Sequence, residues 1–159
     1  MVIRPATGDD AETLAALHLD VWEEAYADLI PQRILDARRR SANAQVELWR
    51  AILAHPTSTV LIAEQDARLT GFVSAGPGRD EPHADLPTLE LMALYVRAQV
   101  YGAGVGYRLL DAAVGTEPAY LWVLDGNERA IAFYERQGFA FDGETRTDDV
   151  GTERRMVRQ

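Results

Sequence analysis

Residues Glu90 to Leu110 read E-L-M-A-L-Y-V-R-A-Q-V-Y-G-A-G-V-G-Y-R-L-L, and this stretch decides the fold. Leu89 to Val96 is an almost unbroken apolar run that ends in aromatic and β-branched residues, the pattern of a buried strand. Gly104 to Val114 carries Val105, Leu109, Leu110 and Ala113 at helical spacing. Between the two, Gly102, Gly104 and Gly106 alternate. Strand, glycine turn and helix start form one device. Residues without Cβ let successive N–H groups face a common point, and the helix N-terminus adds unpaired donors and a partial positive charge. Such a turn takes phosphate groups. Two familiar phosphate loops are excluded. The dinucleotide fingerprint needs glycine three residues after Gly104, where Tyr107 stands, and a Walker loop needs a lysine, of which the chain has none.

The length of 159 residues fits one domain with a sizeable core, and 47% hydrophobic content is ordinary for a soluble globular chain. No apolar run approaches the roughly 18 residues of a membrane span, and the N-terminus M-V-I-R-P-A lacks a signal-peptide core, so a cytoplasmic protein is expected. The absence of cysteine excludes disulfides, thiolate metal sites and a covalent acyl-cysteine route. A net charge of −9 argues against nucleic-acid and anionic-membrane partners and mildly for a cationic acceptor, although the same acidity also serves solubility alone.

In chain order, Val2 to Pro5 reads as a short strand, followed by a capping box from Thr7 to Asp10. The helix after it puts Leu14, Leu17, Val21, Trp22 and Ala25 on one stripe. Pro31 starts a second helical region, and Val46, Trp49, Ile52 and Leu53 mark a third, stopped by proline at His55-Pro56. Val60 to Ala63 and Leu69 to Ala75 read as a hairpin turning at residues 65 to 68, with a Gly/Pro-rich loop at 76 to 87. Beyond the central unit come a strand at Tyr120 to Leu124, a helix from Glu128 to Gln137 ending at Gly138, and closing strands at Phe139 to Phe141 and Glu153 to Val157. Strands with helices interposed predict an α/β sheet covered on both faces.

The same order, and two motifs in it, resemble the GNAT superfamily of N-acetyltransferases over nearly the whole chain. L-Y-V followed by Y-G-A-G-V-G-Y-R-L-L resembles the family's acyl-CoA pyrophosphate loop, [QR]-x-x-G-x-[GA], with Tyr101 standing where Gln or Arg is expected. Residues 127 to 139 resemble N-x-x-A-x-x-x-Y-x-x-x-G-F, with Asn127, Ala130, Tyr134, Gly138 and Phe139 in register. W-E-E-A-Y-A-D-L-I-P also looks like a common subgroup of the family. The resemblance implies a single GNAT-like domain: a mixed, largely antiparallel twisted sheet of six to seven strands, flanked by four to five helices and splayed at the coenzyme site.

It also implies acetyl-CoA as cosubstrate, no metal, direct transfer to a small-molecule or peptide amine in a ternary complex, and a homodimer as one arrangement. The coenzyme site would comprise Leu94, Tyr95 and Val96 on the strand and Tyr101, Gly102, Ala103, Gly104, Val105, Gly106 and Tyr107 in the turn. Asn127, Ala130, Phe133 and Tyr134 would complete it. The Leu94 N–H would face the oxyanion, and Tyr134 would protonate the leaving thiolate, a phenol of pKa about 10 serving a thiol of about 8.5. Spacing alone favours Tyr134 as core packing beside Phe133, and Asn127 could cap its helix, a role compatible with contact to the coenzyme. Glu90 is the candidate base, either acting on the amine or merely solvated at the strand's start; a water chain is the alternative. Strand alternation puts Glu90, Met92, Leu94 and Val96 on one face. His18 and His83 are weaker candidates for the base. Trp22, Glu23, Tyr26 and Asp28 would line the acceptor groove, or else pack as an amphipathic helix. A non-catalytic CoA-binding or sensor module on the same fold is the second reading.

Overall fold

A computed structural model describes residues 1–55 and 57–159. Its strands are β1 (Val2–Pro5), β2 (Thr59–Gln65), β3 (Arg68–Pro77), β4 (Leu89–Val96), β5 (Ala119–Leu124), β6 (Ala140–Thr147) and β7 (Thr152–Arg158). Its α-helices are α1 (Ala11–Tyr26), α2 (Gln32–Arg40), α3 (Ala42–Ala54), α4 (Val105–Ala113) and α5 (Glu128–Arg136). The strands form one seven-stranded sheet in the order β1-β2-β3-β4-β5-β7-β6. Every pairing is antiparallel except that of β4 with β5.

Period-two alternation sorts the side chains to the two faces. Val60, Ile62 and Phe72 pack beneath α1 and α3, with Leu14, Leu17, Val21 and Trp49. Leu61, Ala63, Val73 and Ala75 pack on the opposite face against Val105, Leu109 and Leu110 of α4 and Ile131 and Tyr134 of α5. Such strands are covered on both sides, which is why they read as continuous apolar runs. The hairpin between β2 and β3 turns at Asp66 and Ala67, both at positive φ, 51° and 59°, the backbone of a two-residue turn matched to strand twist.

Most expected elements are present, with instructive differences at the ends. The capping box opens a one-turn 3-10 helix at Gly8–Asp10 before α1 begins. The Asp10 carboxylate accepts from the Thr7 N–H at 2.7 Å and from two Arg4 nitrogens at 2.8 and 2.9 Å. β6 runs well past Phe141, because an exposed edge strand needs no apolar alternation to persist. Pro56, the expected stop for α3, lies outside the described residues; the helix ends at Ala54.

His18 is enclosed by Trp22, Trp49, Phe72 and Tyr95, and its Nδ1 accepts from Trp49 Nε1 at 3.3 Å. Burial, with the nearby Arg38 charge adding, pushes its pKa down to about 3. The unfolded chain therefore binds a proton that the folded chain refuses, and stability falls as pH drops from about 6.5 towards that value, by up to about 1.4 kcal/mol per pH unit. Replacement His18→Phe is expected to remove this component. The check is the difference in denaturation midpoint between about pH 7 and about pH 5 for the two proteins.

Candidate active site

The site begins with a mismatch in strand register. Ser74 pairs with Ala93 and Ala75 with Leu91, so Met92 has no counterpart on β3. This β-bulge bends β4, and its parallel pairing with β5 covers only Glu90–Tyr120 and Leu91–Leu121 before the strands part. The bulge also reverses side-chain parity. Leu91, Leu94 and Val96 face α4, whereas Ala93 and Tyr95 face α1. The expectation that Glu90 shares a face with Leu94 and Val96 is thereby corrected, because the extra residue breaks the alternation. On the β3 side the Arg97 N–H donates to the Thr70 carbonyl at 2.8 Å. Residues two apart repeat that orientation, so the main-chain groups of Leu94 and Val96 turn away from β3, into the space β5 has vacated.

That space is a cavity of about 400 Å³. Its walls are β4 from Leu91 to Val96, the turn after it, β5 at Leu121–Val123, one face of α5, and Ala25 and Tyr26 at the end of α1. The turn is built as its glycines require: Gly102 and Gly104 both have φ +80°, and a Cβ at either would meet nothing within 4 Å. The backbone there is left-handed and its free side is open. Gly104 caps α4, whose first turn carries no acidic residue and directs its unpaired amides outward. A Cβ on Gly106 would sit 3.9 Å from Phe133, which records how closely α4 lies against α5.

Every residue expected at the coenzyme site lines this cavity except Ala103. Tyr134 is among them, 8% exposed and wedged edge-on against Phe133 and Phe139. Burial, reinforced by neighbouring Tyr95 and partly offset by Arg129, pushes its phenol well above the ordinary value. It therefore stays protonated throughout the physiological range. The Asn127 side chain caps α5 by accepting from the Ala130 N–H at 3.4 Å, and the residue also borders the cavity. At the far end the Tyr26 and Tyr95 hydroxyls meet at 2.9 Å, both phenols raised by burial.

Five expected residues are placed elsewhere. Glu90 is 1% exposed and does not border the cavity. Its carboxylate accepts from the Arg79 main-chain N–H, from Arg79 Nε and Nη2 at 3.1 and 2.7 Å, and from the Tyr120 hydroxyl at 3.2 Å. Together with Asp80, which accepts from Arg155 and Trp122, it anchors the 78–88 loop. Trp22 supports Tyr26 edge-on and lies beneath the Arg38 guanidinium, 3.7 Å away, rather than facing the cavity. Glu23 pairs with Arg39 at the surface and Asp28 is exposed. His83 is exposed in its loop. No metal-binding group occurs among the described residues. The cavity also contains residues the sequence reading passed over, notably Arg129 and Arg136. They share a helical stripe with Phe133, a spacing that could have exposed them once Phe133 was placed.

Geometry and sequence likeness converge. The profile of the acetyltransferase (GNAT) family matches residues 18–139. The chain belongs to the GNAT family. It is 30% identical to a probable N-acetyltransferase of Mycobacterium tuberculosis over 148 residues, 91% of this chain and 83% of that one. It is 37% identical to a peptidyl-lysine N-acetyltransferase of Escherichia coli over 106 residues, 66% of this chain and 64% of the relative. The PaiA N-acetyltransferase of Thermoplasma acidophilum, solved with coenzyme A, superposes with a TM-score of 0.76 at 20% identity, covering 99% of this chain and 98% of that one, and shares the fold. Within this GNAT domain Glu90 reads as a loop anchor. Glu90→Gln is expected to lower stability by about 1–3 kcal/mol in denaturant titration. The shape of the pH–turnover curve is expected to stay unchanged.

Proposed function

We propose that this GNAT domain transfers an acyl group, in the simplest case acetyl, from coenzyme A to a primary amine by direct attack in a ternary complex. The observation that supports this most strongly is that one cavity holds three features: a left-handed glycine turn open on its Cβ side, an unpaired strand edge, and a protonated phenol. The residues present fit the coenzyme. A wall with two arginines and no carboxylate among the described residues suits its phosphates, and the exposed edge at Leu94 and Val96 suits its amide-bearing arm.

When bound, the coenzyme supplies the acyl group as an activated thioester. The amides around Gly102–Tyr107 hold its diphosphate. The Leu94 and Val96 main chain aligns the arm as an added strand, and the Leu94 N–H faces the acyl oxygen where negative charge accumulates. Tyr134 keeps a proton on Oη for the departing sulfur. With ordinary values that transfer is uphill by about 2 kcal/mol, and burial of the phenol adds to it. Tyr26, paired with Tyr95, borders the acceptor end.

The cavity lining includes no carboxylate among the described residues, so the amine loses its proton to water rather than to a dedicated base. The same observation is the one that favours a non-catalytic coenzyme-binding module, and an amine panel followed by release of free thiol separates the two. The panel includes a lysine peptide, because the Escherichia coli relative is named a peptidyl-lysine N-acetyltransferase. Turnover with any acceptor supports the enzyme. Coenzyme binding without turnover across the panel supports the module.

Tyr134→Phe is expected to lower kcat about a hundredfold or more while leaving acetyl-CoA affinity largely intact. Because the phenol is raised, wild-type turnover should show no alkaline decline from this group below about pH 10. Gly104→Val, forced into left-handed backbone, is expected to abolish coenzyme binding by calorimetry.

A further inference from the structure

The GNAT loop signature has Gln or Arg at the position that Tyr101 occupies here, and the turn residues that line the cavity, Val100, Tyr101, Gly102 and Gly104, carry no side-chain cation or amide. The structure shows what stands there instead. The guanidinium carbon of Arg129, in the first turn of α5, lies 3.6 Å from the centroid of the Tyr101 ring. This is a cation–π stack between two segments far apart in sequence, and both residues line the cavity.

Arg129, like Arg136 in the same lining, stands where no described residue of the cavity wall is acidic. In so acidic a chain, arginines such as Arg79 and Arg155 are neutralised by carboxylates at 2.7 to 2.8 Å. Among the described residues no carboxylate lies within ion-pair distance of Arg129, and none lines the cavity. The stack uses the face of the guanidinium and leaves its N–H donors free around the edge, in the plane suited to two oxygens of one phosphate. Tyr101 adjoins Gly102, so these donors are held beside the open backbone turn.

We propose that Tyr101 and Arg129 form a relocated phosphate clamp, in which the ring is a platform and the guanidinium binds the coenzyme's diphosphate. The clamp rests on the coenzyme reading given above and deepens it. Tyr101 is a positioning residue, acting through the face of its ring, and Arg129 touches the ligand. The polar side chain that the signature places in the loop is replaced here by a guanidinium from the helix that Asn127 caps and that carries Tyr134. Diphosphate binding thus ties the loop to the helix bearing the phenol.

Isothermal calorimetry with coenzyme A, 3′-dephospho-coenzyme A and pantetheine tests this, with thermal melting to confirm that each variant is folded. Arg129→Gln is expected to weaken coenzyme A about tenfold or more, weaken the 3′-dephospho form equally, and leave pantetheine unaffected. The salt dependence of coenzyme A binding should flatten in the same variant. Tyr101→Phe should retain affinity and Tyr101→Leu should lose it. The double variant Tyr101→Leu with Arg129→Gln should bind no more weakly than Arg129→Gln alone, because platform and cation act as one unit. Restoring the family residue, Tyr101→Gln in the Arg129→Gln background, should recover part of the loss.

If wild type binds coenzyme A and Arg129→Gln binds it equally, the clamp is refuted while the coenzyme reading stands. Additive losses from the two sites would refute the platform. A loss that disappears with the 3′-dephospho form would move Arg129 to the 3′-phosphate and overturn the diphosphate assignment. Failure of wild type to bind coenzyme A at all would remove the functional reading itself.

Discussion

A two-residue contact between parallel strands organises this molecule. β4 and β5 are paired only at Glu90–Tyr120 and Leu91–Leu121, and the unpaired Met92 turns β4 away from its neighbour. Had the ladder continued, the main chain of Leu94 and Val96 would be satisfied by β5, and no cavity would exist between them. Unpaired backbone groups inside a domain are costly unless they meet another partner. The opening is therefore stored binding capacity, held apart by packing on both faces. Gly71 contributes to this: a Cβ there would approach Val96 Cγ1 at 2.7 Å and the Tyr95 carbonyl at 2.8 Å, so only glycine lets β3 follow the bent strand so closely.

The two ends of that contact carry opposite electrostatic arrangements. At the paired end, charges are enclosed and matched: Glu90 with Arg79 and Tyr120, Asp80 with Arg155 and Trp122. Removing one member would strand the others, so this network holds the 78–88 loop to the sheet. At the splayed end the lining has no carboxylate among the described residues, and its charged members there are Arg129 and Arg136. A chain with net charge −9 thus sets two arginines, and no described carboxylate, in the wall of one cavity. The acidity that argues against nucleic acid for the whole surface does not describe the site. Long-range charge is screened by salt, whereas a charge acting at close range inside a partly enclosed cavity is screened much less.

Much of this was legible in one dimension. The strand–glycine–helix unit could be read because each part has its own local signal: apolar run, alternate glycines, helical spacing. The signature from Asn127 to Phe139 fixed which face of α5 mattered, since helix geometry relates positions three and four apart. The closing strands were harder, because β6 sits at the sheet edge and is exposed along nearly its whole length, leaving no periodic pattern to detect. Glu90 was read as a free carboxylate in an apolar run. Its partners lie eleven and thirty residues away, on a loop and on a neighbouring strand, and spacing along β4 contains no information about either.

Sequence by itself determined the element order, the glycine turn and the placing of Tyr134 on a helix after it, because those depend on backbone preferences and on periodicities of a few residues. Tertiary structure alone decided which side chains meet. One extra residue in β4 reversed the parity of everything before it, removing Glu90 from the site. The stacking of Tyr101 beneath Arg129, across 28 positions, supplied a cation that neither segment announces. Register and long-range packing are collective properties of the sheet and its helices, and they are settled only when all of the strands are in place.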